Sequence, residues 1–250
     1  MKRLIFFLLA ITMLGCACRE PRYHHEVLNR MTPVKNQGSS QTCWIYAMLA
    51  AIETEELGQG DSLNLSPYYI EKMMEQEPAM PKAKRGMGAT TLRLIEKYGI
   101  VNYDAMPKAD TSAPQSVWVW DSTYTPLDFA FRICAPEDYI ALTSNAQEPY
   151  DQYIDIDLPD NWLHDRFMNL PMDSLLAKTE RAVRQHHGVC WESQYHAMAI
   201  VGIAHDVIGR KYFIMKNSWG TNRPHEGLDY LSFKDFKKTT LAVEIPSQFK

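Results

Sequence analysis

The stretch Asn36-Gln-Gly-Ser-Ser-Gln-Thr-Cys-Trp44 decides the fold. Residues 31–36 read as an extended lead-in, and Gly38 with Ser39 and Ser40 reads as a turn. A helix pattern then starts at Cys43, with Trp44, Ala47, Met48, Ala51 and Ile52 recurring at spacings of three and four. Glu53, Glu55 and Glu56 follow, and Gly58 and Gly60 stop it. A cysteine therefore opens a helix. Unpaired N–H groups and the helix dipole favour an anion there, and a backbone N–H can face an oxyanion formed beside it. A thiol attacks a carbonyl as thiolate, so a reactive Cys43 is expected to have its pKa lowered. The bland alternative is a cysteine packed as a small hydrophobe.

A partner base decides between the two. His196 stands in Ser193-Gln-Tyr-His-Ala-Met-Ala-Ile-Val-Gly202, at the entry to an apolar strand. Asn217 follows in Lys216-Asn-Ser-Trp-Gly220, at the end of another. His196 lies 153 positions after Cys43, and Asn217 lies 21 after His196. That order and spacing suit a thiol, a base that takes its proton, and an amide that orients the base.

Three blocks, Asn36 to Trp44, Tyr195-His-Ala-Met198 and Asn217-Ser-Trp-Gly220, together resemble the papain superfamily of cysteine peptidases, and most of all its bleomycin hydrolase and aminopeptidase C branch. The resemblance runs from about Thr32 to Val243. It implies Cys43 as nucleophile, His196 as base and Asn217 as the orienting residue. It makes Gln37 the side chain completing an oxyanion hole, Trp219 the aromatic shielding the His–Asn contact, and Trp44 a supporting residue. Ser40 stands where secreted cathepsins carry a disulfide cysteine, which favours the bleomycin hydrolase side. Ser66-Pro-Tyr-Tyr69, Tyr98-Gly-Ile-Val101 and Asn169-Leu-Pro-Met-Asp173 also look like family blocks.

The departures matter as much. The interval between Cys43 and His196 has plain papain size, without the inserted helices of that branch. Arg85-Gly-Met-Gly88 replaces a double glycine often lining the groove. In the branch the C-terminal carboxylate captures the substrate amine; whether the tail Pro246 to Lys250 does so stays open at this point, as do aminopeptidase against endopeptidase action and oligomeric state. A binding protein on an inactive scaffold would be expected to have lost a member of the set, and Gln37, Cys43, His196 and Asn217 are all present.

Elsewhere, helices are expected over 66–74 with Ser66 as N-cap, over 88–98, over 126–132 and over 174–186. Strands are expected over 117–120, 196–204, 211–216, 228–231 and 241–245, and 140–157 reads as irregular. Helices early and strands late imply an α+β protein with a helical first lobe and a β-rich second lobe, the papain-like two-lobed fold. His24, His25, His186 and His187 read as solvated pairs, and Asp155-Ile-Asp157 as a polar loop.

Residues 1–15 form a signal peptide pattern: Lys2 and Arg3, then an apolar run from Leu4 to Leu14. As a helix that run rises about 16 Å, too short for a bilayer core of about 30 Å. Met13-Leu-Gly-Cys16 resembles the lipobox of bacterial lipoproteins, which implies lipidation of Cys16 and attachment to the cell envelope, with the outer membrane favoured. Residues 16–30 read as lipidated N-terminus and tether, and 31–250 as the peptidase domain. Cys134 and Cys190 leave both a bridge and two buried free thiols open. A formal net charge of −4 without a basic run argues against nucleic acid. No CxxC pair, close Cys/His cluster or nucleotide motif points to a metal or cofactor. Peptides or protein fragments are the expected substrates.

Overall fold

After β1 (His24–Leu28) and a connecting segment over 29–42, the chain enters α1 (Cys43–Gln59), which begins and ends where its sequence indicates. This computed structural model describes residues 22–110 and 112–250, so the expected signal peptide, Cys16 and Cys18 lie outside the described residues. Gly60 ends α1 in the left-handed region at φ 102°, a conformation that costs glycine little. Helices α2 (Pro67–Met74) and α3 (Gly88–Tyr98), the hairpin β2 (Val117–Val119) and β3 (Ser122–Tyr124), and α4 (Pro126–Ile133) complete the first lobe. Its core gathers Trp44, Met48, Ile52, Ile70, Leu94 and Phe129, all nearly inaccessible to solvent. Ser66 occupies the N-cap position of α2, but its hydroxyl donates to the Met106 carbonyl at 2.5 Å and caps nothing. The fixed φ of Pro67 at the first helical position starts that helix instead.

The second lobe holds β4 (Tyr139–Thr143), β5 (Gln152–Asp155), β6 (Arg166–Asn169), α5 (Met172–Arg184), β7 (Val189–Ser193), β8 (Ala197–His205), β9 (Lys211–Lys216), β10 (Leu228–Ser232), α6 (Phe233–Thr239) and β11 (Thr240–Pro246). The sheet runs β10-β9-β8-β7-β11-β4-β6-β5. Among its named pairings, only β4 with β6 is parallel. Strand β8 is long enough to serve two neighbours on one side: Ala197–Ile200 pair with β7, and Gly202–His205 pair with β1. Two expectations change here. Part of the presumed tether is β1, ordered by the edge that β8 offers, and the stretch 140–157 contains β4 and β5 rather than irregular chain. Helix α6 also went unrecognised in the sequence.

Helix α1 lies directly on the sheet. A Cβ at Gly188 would fall 2.1 Å from the Ala51 carbonyl oxygen, so only glycine allows this approach. That contact brings the two lobes together along α1, whose first residue is Cys43. A second core, including Leu142, Leu175, Trp191, Phe213 and Val243, fills the other side of the sheet. Together these elements form an α+β, two-lobed papain-like fold. Cys134 and Cys190 are buried free thiols. Among the described residues no helix is long and apolar enough to cross a membrane.

The C-terminal tail settles on the second lobe. Phe249 is buried in that lobe's core, its carbonyl accepts from Lys178 Nζ at 3.1 Å, and Gln248 meets His187 at 2.9 Å. None of the tail residues lines the cleft that holds Cys43.

Candidate active site

Where the lobes meet, a cleft of about 340 Å³ is lined by Gln37, Cys43, Arg85, Glu192, His196 and Trp219 among others. Cys43 reaches it from the first residue of α1, whose N–H has no partner within the helix. His196 reaches it from the turn before β8. That turn is tied by Ser193, whose hydroxyl donates to the His196 carbonyl at 3.0 Å and accepts from its N–H at 3.1 Å.

His196 Nε2 lies 2.8 Å from Asn217 Oδ1. Since that oxygen only accepts, Nε2 carries the hydrogen, and Nδ1 is left as the ring's proton acceptor. The amide of Asn217 is fixed by two further bonds. Its Oδ1 accepts from the Ser218 N–H at 2.7 Å, and its Nδ2 donates to Asp229 Oδ2 at 2.6 Å. Trp219 stacks on His196 with ring centroids 4.5 Å apart and 17° between planes, and the Arg223 guanidinium lies over the indole at 4.7 Å from its centroid. The indole thus covers one face of the imidazole while remaining partly exposed.

Gln37 is held more tightly than its sequence role suggests. Its N–H donates to the Ser218 carbonyl at 2.8 Å, its Oε1 accepts from Ser218 Oγ at 2.5 Å, and its Nε2 donates to the Ser40 carbonyl at 2.6 Å. One Nε2 hydrogen remains for a cleft ligand. Trp44 is buried behind the site; its indole N–H donates to the Lys84 carbonyl at 3.2 Å. A Cβ at Gly86 would fall 2.7 Å from that ring, so the ring seats the wall formed by Arg85, Gly86 and Met87. Arg85 crosses from this wall to the second lobe. Its Nε and Nη2 donate to Asp160 Oδ2 at 3.0 and 2.7 Å, and Nη2 also donates to the Gln194 carbonyl at 2.9 Å.

The electrostatics around the resting thiol run against one expectation. Burial pushes the Cys43 thiol above its ordinary value, and the nearby Glu192 charge adds to this. The Ala197 and Trp44 N–H groups and Arg85 pull the other way without prevailing. Burial also lowers His196 below its usual 6.5, against the opposing pull of Asn217 and Asp229. Burial thus favours the neutral thiol and the neutral imidazole over their charged forms in this pair.

Asp229, Glu192, Asp160 and the exposed Tyr195 were not assigned roles from sequence. Asp229 sits mid-strand on β10, opposite Met215, and only the pairing of β9 with β10 brings it to Asn217. His24 and His25 are exposed as expected, yet His24 stacks on His205 and His25 Nε2 lies 2.7 Å from the Tyr230 hydroxyl. The other pair is engaged: His186 meets Asn29 at 3.1 Å, and His187 meets Glu55 at 2.8 Å. Asp155 ends β5 and accepts from Asn161 Nδ2 at 2.8 Å, away from the cleft.

Similarity to known proteins bears on the family and the fold. Residues 22–244 match the papain family cysteine protease model. The chain is 25% identical over 208 residues to papain of Carica papaya, covering 79% of this chain and 50% of papain. It is 23% identical over 199 residues to a cysteine proteinase of Theileria parva, covering 79% of this chain and 40% of that protein. It thus spans about half the length of the curated relatives it matches. Among solved structures, PepW from Lactobacillus rhamnosis superposes with a TM-score of 0.70 at 15% identity, over 91% of this chain and 82% of PepW. Bromelain from Ananas comosus, in complex with the E64 inhibitor, gives 0.53 at 18% identity, over 87% and 94%. These two likenesses speak for the fold. With the family match spanning nearly every described residue, the chain belongs to the papain family of cysteine proteases.

Proposed function

We propose that the chain hydrolyses peptide bonds, with Cys43 as nucleophile and His196 as general base and acid. The observation that carries this is His196, whose Nε2 is committed to Asn217 while Nδ1 remains as proton acceptor in the cleft that Cys43 lines. The thiol proton passes to Nδ1 as Sγ attacks the substrate carbonyl carbon. The Cys43 N–H and the free Nε2 hydrogen of Gln37 are the donors available to the oxyanion. When it collapses, the C–N bond breaks and His196 returns the proton to the leaving amine. Water, deprotonated by the same imidazole, then cleaves the thioester and restores the thiol.

Within this proposal the cleft serves as an endopeptidase site, its two walls joined at one point by Arg85. Residues 246–250 pack on the second lobe and none of them lines the cleft, so this segment offers no amine capture there, which favours this reading over an aminopeptidase. Envelope attachment through Cys16 is proposed from the lipobox-like Met13-Leu-Gly-Cys16; release of a Cys16→Ala chain into the soluble fraction would support it.

The full chain and its Cys43→Ala counterpart, under reducing conditions, are given peptides with free or acetylated N-termini, and the products are read by mass spectrometry. Cleavage inside acetylated peptides by the parent alone is expected. Cleavage confined to free N-termini makes the enzyme an aminopeptidase, and equal cleavage by both chains removes Cys43 as nucleophile.

A further inference from the structure

Beneath the cleft, a second group of reactive side chains has no part in the hydrolysis above. Cys190 and Glu192 lie two apart on β7, hence on one face. Glu244 on β11 is the cross-strand partner of Cys190. The thiol sulfur and one oxygen from each carboxyl lie within 4.8 Å of one another. All three residues are buried, at 0%, 3% and 0% exposure in the order Cys190, Glu192, Glu244.

Their hydrogen bonding is incomplete. The Gly88 N–H, at the start of α3, donates to Glu192 Oε1 at 2.5 Å. Glu192 Oε2 and both oxygens of Glu244 are without hydrogen-bond partners. Burial pushes the Glu244 carboxyl up to about 8 against the smaller opposing pull of the Cys190 thiol and the Ala89 N–H, neither of which reaches hydrogen-bond geometry with it. Among the described residues no ion pair involves Glu192 or Glu244, and the neighbouring charges they feel, Asp160 and Asp165, are acidic. Burying two carboxyls this way is costly unless something cationic, or a shared proton, joins them.

The donor set distinguishes the candidates. Two carboxylate oxygens and a thiolate suit a borderline cation that accepts four ligands, whereas calcium and magnesium require a shell of oxygens. The three atoms lie close enough to share one ion. A guanidinium or ammonium on a side-chain stem does not fit, because α3 closes the far side: a Cβ at Gly88 would fall 2.4 Å from Glu244 Oε2 and 2.9 Å from Cys190 Sγ. The Gly88 N–H bond orients Glu192 so that its second oxygen is free for the cluster, as outer donors do around metal ligands. Glu192 also lines the cleft, which provides a way in. We propose that Cys190, Glu192 and Glu244 bind one divalent transition-metal ion of the zinc class at the floor of the substrate cleft.

The test does not depend on peptidase activity. The full-length Cys43→Ala chain, in detergent and free of metal, is titrated with Co²⁺ and followed by absorption; zinc is then added to displace the cobalt. One equivalent with a sulfur-to-cobalt band, lost on zinc addition, is expected. Adding Cys190→Ser should abolish the band, and adding Glu244→Gln should weaken binding roughly tenfold or more. Zinc should also raise the melting temperature of the Cys43→Ala chain but not of the Glu244→Gln chain, which keeps the test valid if Cys190→Ser fails to fold. Absence of the band, or a band unchanged by Cys190→Ser, overturns the proposal. So does a zinc-insensitive melting temperature, which would leave the two carboxyls as a pair sharing one proton.

Discussion

Asp229 holds the amide of Asn217 from the side opposite His196: Nδ2 donates to Asp229 Oδ2 at 2.6 Å while Oδ1 accepts from the imidazole at 2.8 Å. An amide can rotate and present nitrogen to the ring, which would repel Nε2–H and reverse the tautomer. The carboxylate of Asp229 prevents this, because it only accepts. Asp229 is thus a positioning residue, one step removed from the reacting atoms.

Asp229→Ala is expected to lower kcat by about 10- to 100-fold with little change in KM, from the loss of one charge-assisted bond of about 1.5–3 kcal/mol. Asp229→Asn keeps an acceptor and should retain more activity. In both variants the acid limb of the pH profile should move lower, since the Asp229 charge raises His196. Equal losses in kcat for the two variants would point to charge rather than geometry as the contribution of Asp229.

The preference of burial for a neutral pair predicts a broad pH profile. His196 must be unprotonated to act, and burial lowers it below 6.5, so kcat/KM should rise through a limb below that value. The thiol is raised above 9, so decline should begin only above that pH. Measurement of kcat/KM across pH 4–10.5, with chelator present, checks both limbs. A thiolate already titrating in mild acid, seen as ultraviolet absorption, would contradict the neutral pair.

Arg85 masks Asp160 by a bond made across the cleft. Both side chains are partly exposed, so Arg85→Ala should change stability by no more than about 1 kcal/mol. The uncovered Asp160 carboxylate should then attract cationic substrates. A peptide library is expected to show kcat/KM shifting toward lysine- and arginine-containing sequences over neutral ones. An unchanged preference would mean that Asp160 does not face bound substrate.

Elements with local signals were legible from sequence. The start of α1 at Cys43, the stop at Gly60 and the bounds of β9 follow from spacing, glycine and apolar runs. What escaped depends on distant partners. The backbone following β4 is organised by Asn169, whose Nδ2 donates to the carbonyls of Asn145, Glu148 and Pro149, and no local pattern announces that. Strand β1 carries the polar run His24-His-Glu26 and is a strand because β8 exposes an edge to it. The site followed the same rule. Cys43, His196 and Asn217 stand in recognisable blocks, whereas Asp229 and the grouping of Glu192 with Glu244 arise only from strand pairing.

Glu53 links the lead-in, α1 and the second lobe, and this makes the last prediction a test of how the lobes are held. Its carboxylate accepts from Thr32 Oγ1, from Lys35 Nζ at 2.6 Å and from the Leu65 N–H at 2.7 Å, and it lies 3.5 Å from Lys216 Nζ. Burial pushes Glu53 upward, but Lys35 and Lys216 outweigh it and hold it below its ordinary value. Burial lowers Lys216 to about 8, against the pull of Glu53. Glu53→Gln leaves Lys216 buried without a full counter-charge and should destabilise by about 3–5 kcal/mol. Lys216→Met leaves Glu53 still paired with Lys35 and should be near neutral in stability at pH 7. The unfolded lysine titrates near 10.4, so between about 8 and that value the unfolded chain binds the extra proton. Parent stability should therefore rise with pH in that window by roughly 2–3 kcal/mol relative to Lys216→Met. Urea unfolding of the three chains at pH 7, 8 and 10 measures this directly. Parallel curves for parent and Lys216→Met, or a loss below about 1 kcal/mol in Glu53→Gln, would mean that solvent reaches this group of charges and that it contributes little to joining the lobes.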